Sequence, residues 1–246
     1  MIAERSQGTA ACGAHPRRVV FLLLMTLFLV FGSAFSGWTQ SAEPSLEQIL
    51  KNARNRLDSL KDVTLTVDAE QADPVAGTQI LTVAAVMASP ELGLMRMEVV
   101  QPAVLEGQLT VLDQNAKTMS IYSPLTVQIV VRKFTPADAQ AIFGADIFDM
   151  VGLPRKLEDF EFKLIRKEKL DKDFHYLVQV RSRKNKDDDV RRLWISEKDW
   201  FISKMDFATP KGKVWLTLKF RDVKLNPGLK RSVLVAMPAG VPVIRP

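Results

Sequence analysis

The chain has 246 residues, 47% apolar and 25% charged, enough to bury one good core and keep the remainder soluble, and one domain is the default at this length. Its 34 Lys and Arg stand against 28 Asp and Glu for a net charge of +6. The bases occur singly or paired among acids, as in Lys167-Glu168-Lys169 and Lys186-Asp187, with no aromatic stacking platform and no basic arm, a pattern that argues against a nucleic acid partner.

Residues 1 to 42 read as a signal peptide. Arg5, Arg17 and Arg18 precede an uncharged run from Val19 to Phe31, and small residues follow, with cleavage expected after Ser36, Ser41 or Ala42. An uncleaved anchor is the rival reading, because Val19 to Phe35 is about 17 residues and a span needs roughly 17 to 25. No Ser or Thr precedes Arg17-Arg18 and Val19-Val20 fills the space before Phe21, which favours the general secretory route over a twin-arginine one. Cys12, the only cysteine, lies before the apolar run and so is not an acylated cysteine at its end. The exported part, residues 43 to 246, then has no disulfide to form and relies on its core. Taking three Arg and one Glu from the totals leaves 31 bases and 27 acids, a mild charge of about +4.

Pro44-Ser45 opens a helix: Ser45 and Gln48 stand at capping-box spacing, and Leu46, Ile49, Leu50, Ala53, Leu57 and Leu60 share one stripe. From Val63 the period becomes two, with Val63, Leu65 and Val67 alternating with Thr64, Thr66 and Asp68 before a turn at Asp73-Pro74 and Gly77. Further strands are predicted at Gln79 to Ala88, Leu94 to Val100, Gln108 to Leu112, Thr118 to Tyr122 and Thr126 to Lys133, separated by turn residues at the spacing of an antiparallel meander. A second helix follows, with Thr135 as N-cap, Pro136 at its first position and Asp138 in the first turn. It carries Ile142, Phe143, Ile147, Phe148 and Val151 and is ended by Gly152 and Pro154. It interrupts the sheet and is the candidate lid or plug. The meander resumes at Asp159 to Glu168, Phe174 to Arg183, Val190 to Ser196, Trp200 to Phe207, Val214 to Val223 and Ser232 to Met237, with Lys184 to Asp189 as a charged hairpin tip.

The fold class is mainly β with α (α+β), about eleven or twelve strands and two main helices, and a sheet of that size must curl as its twist accumulates. A curled sheet with helices on one face makes a concavity lined by alternate residues. The candidate lining residues are Val63, Leu65, Val67, Met95, Met97, Val99, Met119, Ile121, Phe160, Phe162 and Leu164, with Ile142, Phe143, Ile147 and Phe148 from the lid helix. Taken singly, each is more often plain sheet core; methionine, flexible and polarisable, suits an adaptable lining.

Catalytic apparatus is hard to assemble from these residues. His175 is the only histidine after residue 42 and no cysteine accompanies it, so neither a His-based triad nor a multi-His or thiolate metal site can be built. Asp187-Asp188-Asp189 lacks the spacing of an EF-hand loop and reads as a solvated tip. Glu158 with Asp159 has no spacing that supports acid and base work on a sugar, and Gly93, Gly107 and Gly152 form no phosphate cradle.

These elements in this order resemble the periplasmic outer-membrane lipoprotein carriers, the LolA-like proteins, over nearly all of residues 43 to 246. The residues that carry the likeness are the first helix ending near Leu57 to Leu60, the strand break Ala88-Ser89-Pro90, Gln101-Pro102, Ile121-Tyr122-Ser123-Pro124, Leu193-Trp194-Ile195-Ser196, and Phe220-Arg221-Asp222-Val223 with Asn226, then Val233 to Pro238 and Ala239-Gly240-Val241. The resemblance implies an incomplete or half β-barrel of about eleven antiparallel strands closed by helices. It implies a monomer in the periplasm that takes lipoprotein acyl chains from an inner-membrane release complex to an outer-membrane acceptor and needs no cofactor. Two departures stand out. Ser89 occupies the lid-latch position where the family usually has an arginine before the proline, and Asp113-Gln114-Asn115-Ala116-Lys117 replaces a tight Asp-Gly hairpin. The alternative reading is an envelope-stress sensor on the same fold, acting through a protein partner; an enzyme would need lipid turnover that survives substitution of His175.

Overall fold

A computed structural model describes residues 43–72, 79–134, 157–184 and 189–245. Helix α1, Leu46–Asp58, begins where the sequence expects it: the Ser45 hydroxyl accepts a hydrogen bond from the Gln48 amide at 3.3 Å, and the Gln48 side chain accepts one from the Ser45 amide at 2.9 Å. This reciprocal pair occupies two of the helix's orphan donors. Ile49 and Ala53 on its apolar stripe are fully buried.

The strands are β1 Val63–Ala72, β2 Gln79–Ser89, β3 Leu94–Gln101, β4 Leu109–Asp113, β5 Thr118–Ser123, β6 Gln128–Lys133, β7 Phe160–Leu170, β8 Asp173–Ser182, β9 Val190–Ser196, β10 Ile202–Ala208, β11 Val214–Leu225 and β12 Val243–Ile244. All twelve form one sheet in the order β12-β6-β5-β4-β3-β2-β1-β11-β10-β9-β8-β7. Pairing is antiparallel throughout except for β12, which runs parallel to β6. The outermost strands, β12 and β7, do not pair with each other, so the sheet stays open.

Two meanders make this sheet, β1 to β6 and β7 to β11, and they meet only where β1 pairs with β11. Inside that seam Val67 faces Phe220 and Ala69 faces Leu218. Outside it the Arg221 guanidinium grips Asp68 through two bonds of 2.6 and 2.7 Å, and Lys219 reaches Glu70 at 2.6 Å. The carboxylate of Asp68 raises the Arg221 pKa, first through these hydrogen bonds. Water and salt screen such exposed pairs, so they fix register more than they stabilise.

The run Ser232 to Met237, expected as a strand, is a correction: Arg231–Leu234 forms the short helix α2, and the following residues are irregular. Both neighbours of β11 are already taken, by β1 and β10, so no place in the sheet is left beside it. A short apolar run without alternation does not by itself distinguish helix from strand. Residues 226–244 instead cross the outward face of β3 to β6 as a strap. Arg231 pairs with Asp113 at 2.8 Å, Arg96 donates to the Ala236 carbonyl, and the Ile129 amide donates to Pro242 at 2.9 Å. Leu94, Leu109, Val111 and Ile129 are buried on that face together with the strap's Leu234. This is why Leu109-Thr110-Val111-Leu112 is a nearly continuous apolar run, buried on both faces.

Candidate functional site

Register alone determines which side chains share the inward face. Across the first meander, Val63 lies opposite Ala88 and Met95, Leu65 opposite Val86 and Met97, and Val67 opposite Ala84 and Val99. Met95 leads on to Leu112 and Met119, and Thr110 to Ile121. Across the second, one row runs Leu218, Met205, Leu193, Val178, Leu164, and the next Leu216, Phe207, Arg191, Val180, Phe162. Ile49 and Ala53 of α1 and these rows, Val99, Thr110 and Arg191 apart, belong to one apolar cluster.

The structure therefore brings Val63, Leu65, Val67, Met95, Met97, Val99, Met119, Ile121, Phe160, Phe162 and Leu164 onto a single face. Ile142, Phe143, Ile147 and Phe148 lie outside the described residues. The first seven of that set are buried, whereas Ile121, Phe160, Phe162 and Leu164 are only partly buried. Sequence reading missed the partner rows Leu216, Leu218 and Phe220 as lining, although they alternate with Thr217, Lys219 and Arg221 in a plain period of two. It also missed Arg191, whose apolar neighbours exist only across strands.

The two ends of the sheet differ. At the end where α1 joins β1, polar bonds knit the chain. The Asp62 carboxylate accepts from the Gly228 and Leu229 amides at 3.0 and 3.1 Å, and the Asn226 side chain accepts from the Lys61 amide at 2.8 Å. Arg56 donates to the Asp199 carbonyl at 2.7 Å. Ser89, the expected latch position, sits here too: its hydroxyl donates to the Lys61 carbonyl at 3.0 Å and accepts from the Leu92 amide at 3.3 Å. It ties the β2–β3 turn to the α1–β1 connection. Near the same end Tyr176 stacks on Trp200 at 5.9 Å. Glu197 accepts from Lys167 at 2.6 Å and from the Tyr176 hydroxyl at 2.7 Å, and these bonds hold its carboxyl below the usual range.

At the opposite end lie the turns β5–β6, β8–β9 and β10–β11 and the start of β7. Exposed aliphatic residues stand there, among them Val104, Leu125 and Val127. His175 is buried on the outward side with Nδ1 3.1 Å from the Asp173 carbonyl, a packed position. Among the described residues no group of three His, Cys, Asp or Glu could hold a metal ion.

An open, mainly antiparallel barrel fragment with a helix packed on an apolar inner face is the LolA-like architecture that the resemblance implied. The family model described as "Uncharacterized protein" matches residues 95–238, and the chain belongs to that family. Solved structures similar to it include an uncharacterized conserved protein from Thermus thermophilus, 22% identical over 82% of this chain and 100% of that one, with a TM-score of 0.55. A LolA superfamily protein from Nitrosomonas europaea is 15% identical over 78% and 98% of the two chains, at 0.40. Lipoprotein LppX from Mycobacterium tuberculosis is 11% identical over 76% and 99%, at 0.48. At 22% identity the likeness to the Thermus protein is one of fold. No curated protein matches the sequence.

Proposed function

We propose that this protein is a periplasmic carrier that holds the acyl chains of a lipoprotein, or of another membrane lipid, against the inward face of its sheet and moves them from the inner to the outer membrane. The observation that carries the reading is the inward face itself: rows that are apolar except at Thr110 and Arg191 continue across β1 to β5 and β7 to β11, and along β5 and β7 they remain partly open at Ile121, Phe160, Phe162 and Leu164. A surface of this kind binds hydrocarbon without ionic contacts, since each buried methylene contributes about 0.8 kcal/mol. Residues 1 to 42 then act as the export signal, and Ser89 marks a lid held differently from that of carriers with an arginine there.

The test uses protein recovered from the cell envelope. Native mass spectrometry is expected to find retained lipid, and a fluorescent fatty acid is expected to bind. Phe162→Asp, at a half-open inward position, is expected to weaken that binding at least tenfold while leaving the far-ultraviolet circular dichroism spectrum unchanged. Wild-type protein that carries no lipid and binds no probe refutes the reading.

A further inference from the structure

The inward rows of β7 to β11 place two bases against aromatic rings, and they differ in one respect. Lys167 lies 5.1 and 5.5 Å from the ring centres of Phe174 and Tyr176 and is neutralised by Glu197 at 2.6 Å. Arg191 sits between Phe160 and Phe207, 5.9 and 5.7 Å from their centres, and no carboxylate among the described residues pairs with it. Its register neighbours, Phe207 on β10 and Val180 on β8, are both buried and apolar. The nearby Asp189 is engaged by Trp215, whose indole nitrogen donates to it at 3.0 Å.

Ring stacking accounts for the position of the guanidinium but satisfies none of its five N–H donors. No buried side-chain nitrogen or oxygen among the described residues lacks a partner, so the Arg191 donors are open to water or to a ligand. We infer that Arg191 receives the anionic headgroup, a phosphate or carboxylate, of the lipid whose chains lie on the inward face; this rests on the carrier reading and names the class of cargo as anionic. The geometry sets the orientation of the cargo. Arg191 is the second residue of β9, at the end of the sheet where the β8–β9 and β10–β11 turns gather. The headgroup stays at that loop end, while the chains run along β9 past Leu193 and Ile195 toward the end where α1 joins β1. The planar fork suits phosphate and carboxylate oxygens, and the flanking rings hold it in place before the ligand arrives.

The experiment offers the exported protein an equimolar mixture of dipalmitoyl phosphatidylglycerol and dipalmitoylglycerol and reads the ratio of the two bound species by native mass spectrometry. Wild type is expected to retain the anionic lipid in about tenfold excess, as one charge-assisted contact supplies. Arg191→Gln is expected to bring the ratio near one, and Arg191→Lys, which keeps the charge but loses the fork, to restore part of it. Retention of both lipids by wild type without preference, or a preference undiminished in Arg191→Gln, overturns the headgroup assignment alone. Retention of neither overturns the carrier reading and this assignment with it.

Discussion

Asp62 ties the start of the C-terminal strap to the α1–β1 connection, and removing its carboxylate tests whether that tie stabilises the fold. The side chain is 7% exposed and accepts two backbone amides, Gly228 and Leu229, at 3.0 and 3.1 Å. Hydrogen bonds to a charged acceptor contribute about 1.5 to 3 kcal/mol each, and deleting the acceptor strands donors that are partly buried. Because the two bonds share one carboxylate and water can reach part of the site, a combined loss of about 3 kcal/mol is expected for Asp62→Ala rather than the full sum. With a urea dependence of about 2 kcal/mol per molar, the unfolding midpoint falls by about 1.5 M. Asp62→Asn keeps an oxygen for one of the two amides and is expected to lose about half as much. Trp194, Trp200 and Trp215 lie in the second meander and supply the fluorescence signal for urea titration. A midpoint that moves by less than about 0.3 M at unchanged slope refutes the argument.

Glu197 gives a pH test. Its carboxyl is held below its ordinary value of 4.5, first by the hydrogen bond from Lys167 and then by that from Tyr176. A depressed carboxylate adds stability that is present above its ordinary value and is lost as pH falls through the lowered one. Glu197→Gln should therefore be less stable than wild type at pH 7, with the gap in urea midpoint closing as the solution is acidified below 4.5; a gap independent of pH contradicts the assignment. Gly93 holds φ at +62°, and a Cβ there would lie 3.0 Å from the Asn115 side-chain nitrogen. Gly93→Ala is accordingly expected to destabilise by about 1 to 2 kcal/mol, visible as a drop in Tm of a few degrees in a thermal scan, and an unchanged Tm counts against it.

Strand after strand in this sheet was legible because one face is apolar and the other wet. Val63, Leu65 and Val67, or Phe160, Phe162 and Leu164, announce both the strand and the side it buries, since a slip of one residue would turn the apolar row to water. The capping box at Ser45 and Gln48 was readable for a similarly local reason. The strap was not: Val233, Leu234 and Val235 form an apolar run of strand-like composition, yet only Leu234 is buried while Val233 and Val235 are exposed. Its path is set by Asp62, Asp113 and Arg96, partners more than a hundred positions away in the chain. β12, two residues joined in parallel to β6, is too short to produce any period. The inward face was legible as a set of alternating residues, but the setting of Arg191 among Phe160, Val180 and Phe207 exists only once four strands are in register.

The single seam between β1 and β11 also governs how the molecule can be assembled. Every other antiparallel junction among the described strands joins neighbours in sequence, so each meander can zip by local hairpins. The seam joins residues such as Asp68 and Arg221, 153 positions apart, and the loop closure this requires is the slow, high-contact-order step. A ribosome or translocon that delivers the chain from its N-terminus releases β1 long before its partner. Until β11 emerges, β1 offers one bare edge with Val63, Leu65 and Val67 uncovered on one side, the kind of edge that chaperones shield and that aggregation exploits. The topology thus predicts a late docking of two preformed halves, and a variant that weakens Val67 against Phe220 is expected to slow the closing step while leaving the hairpins of each half intact.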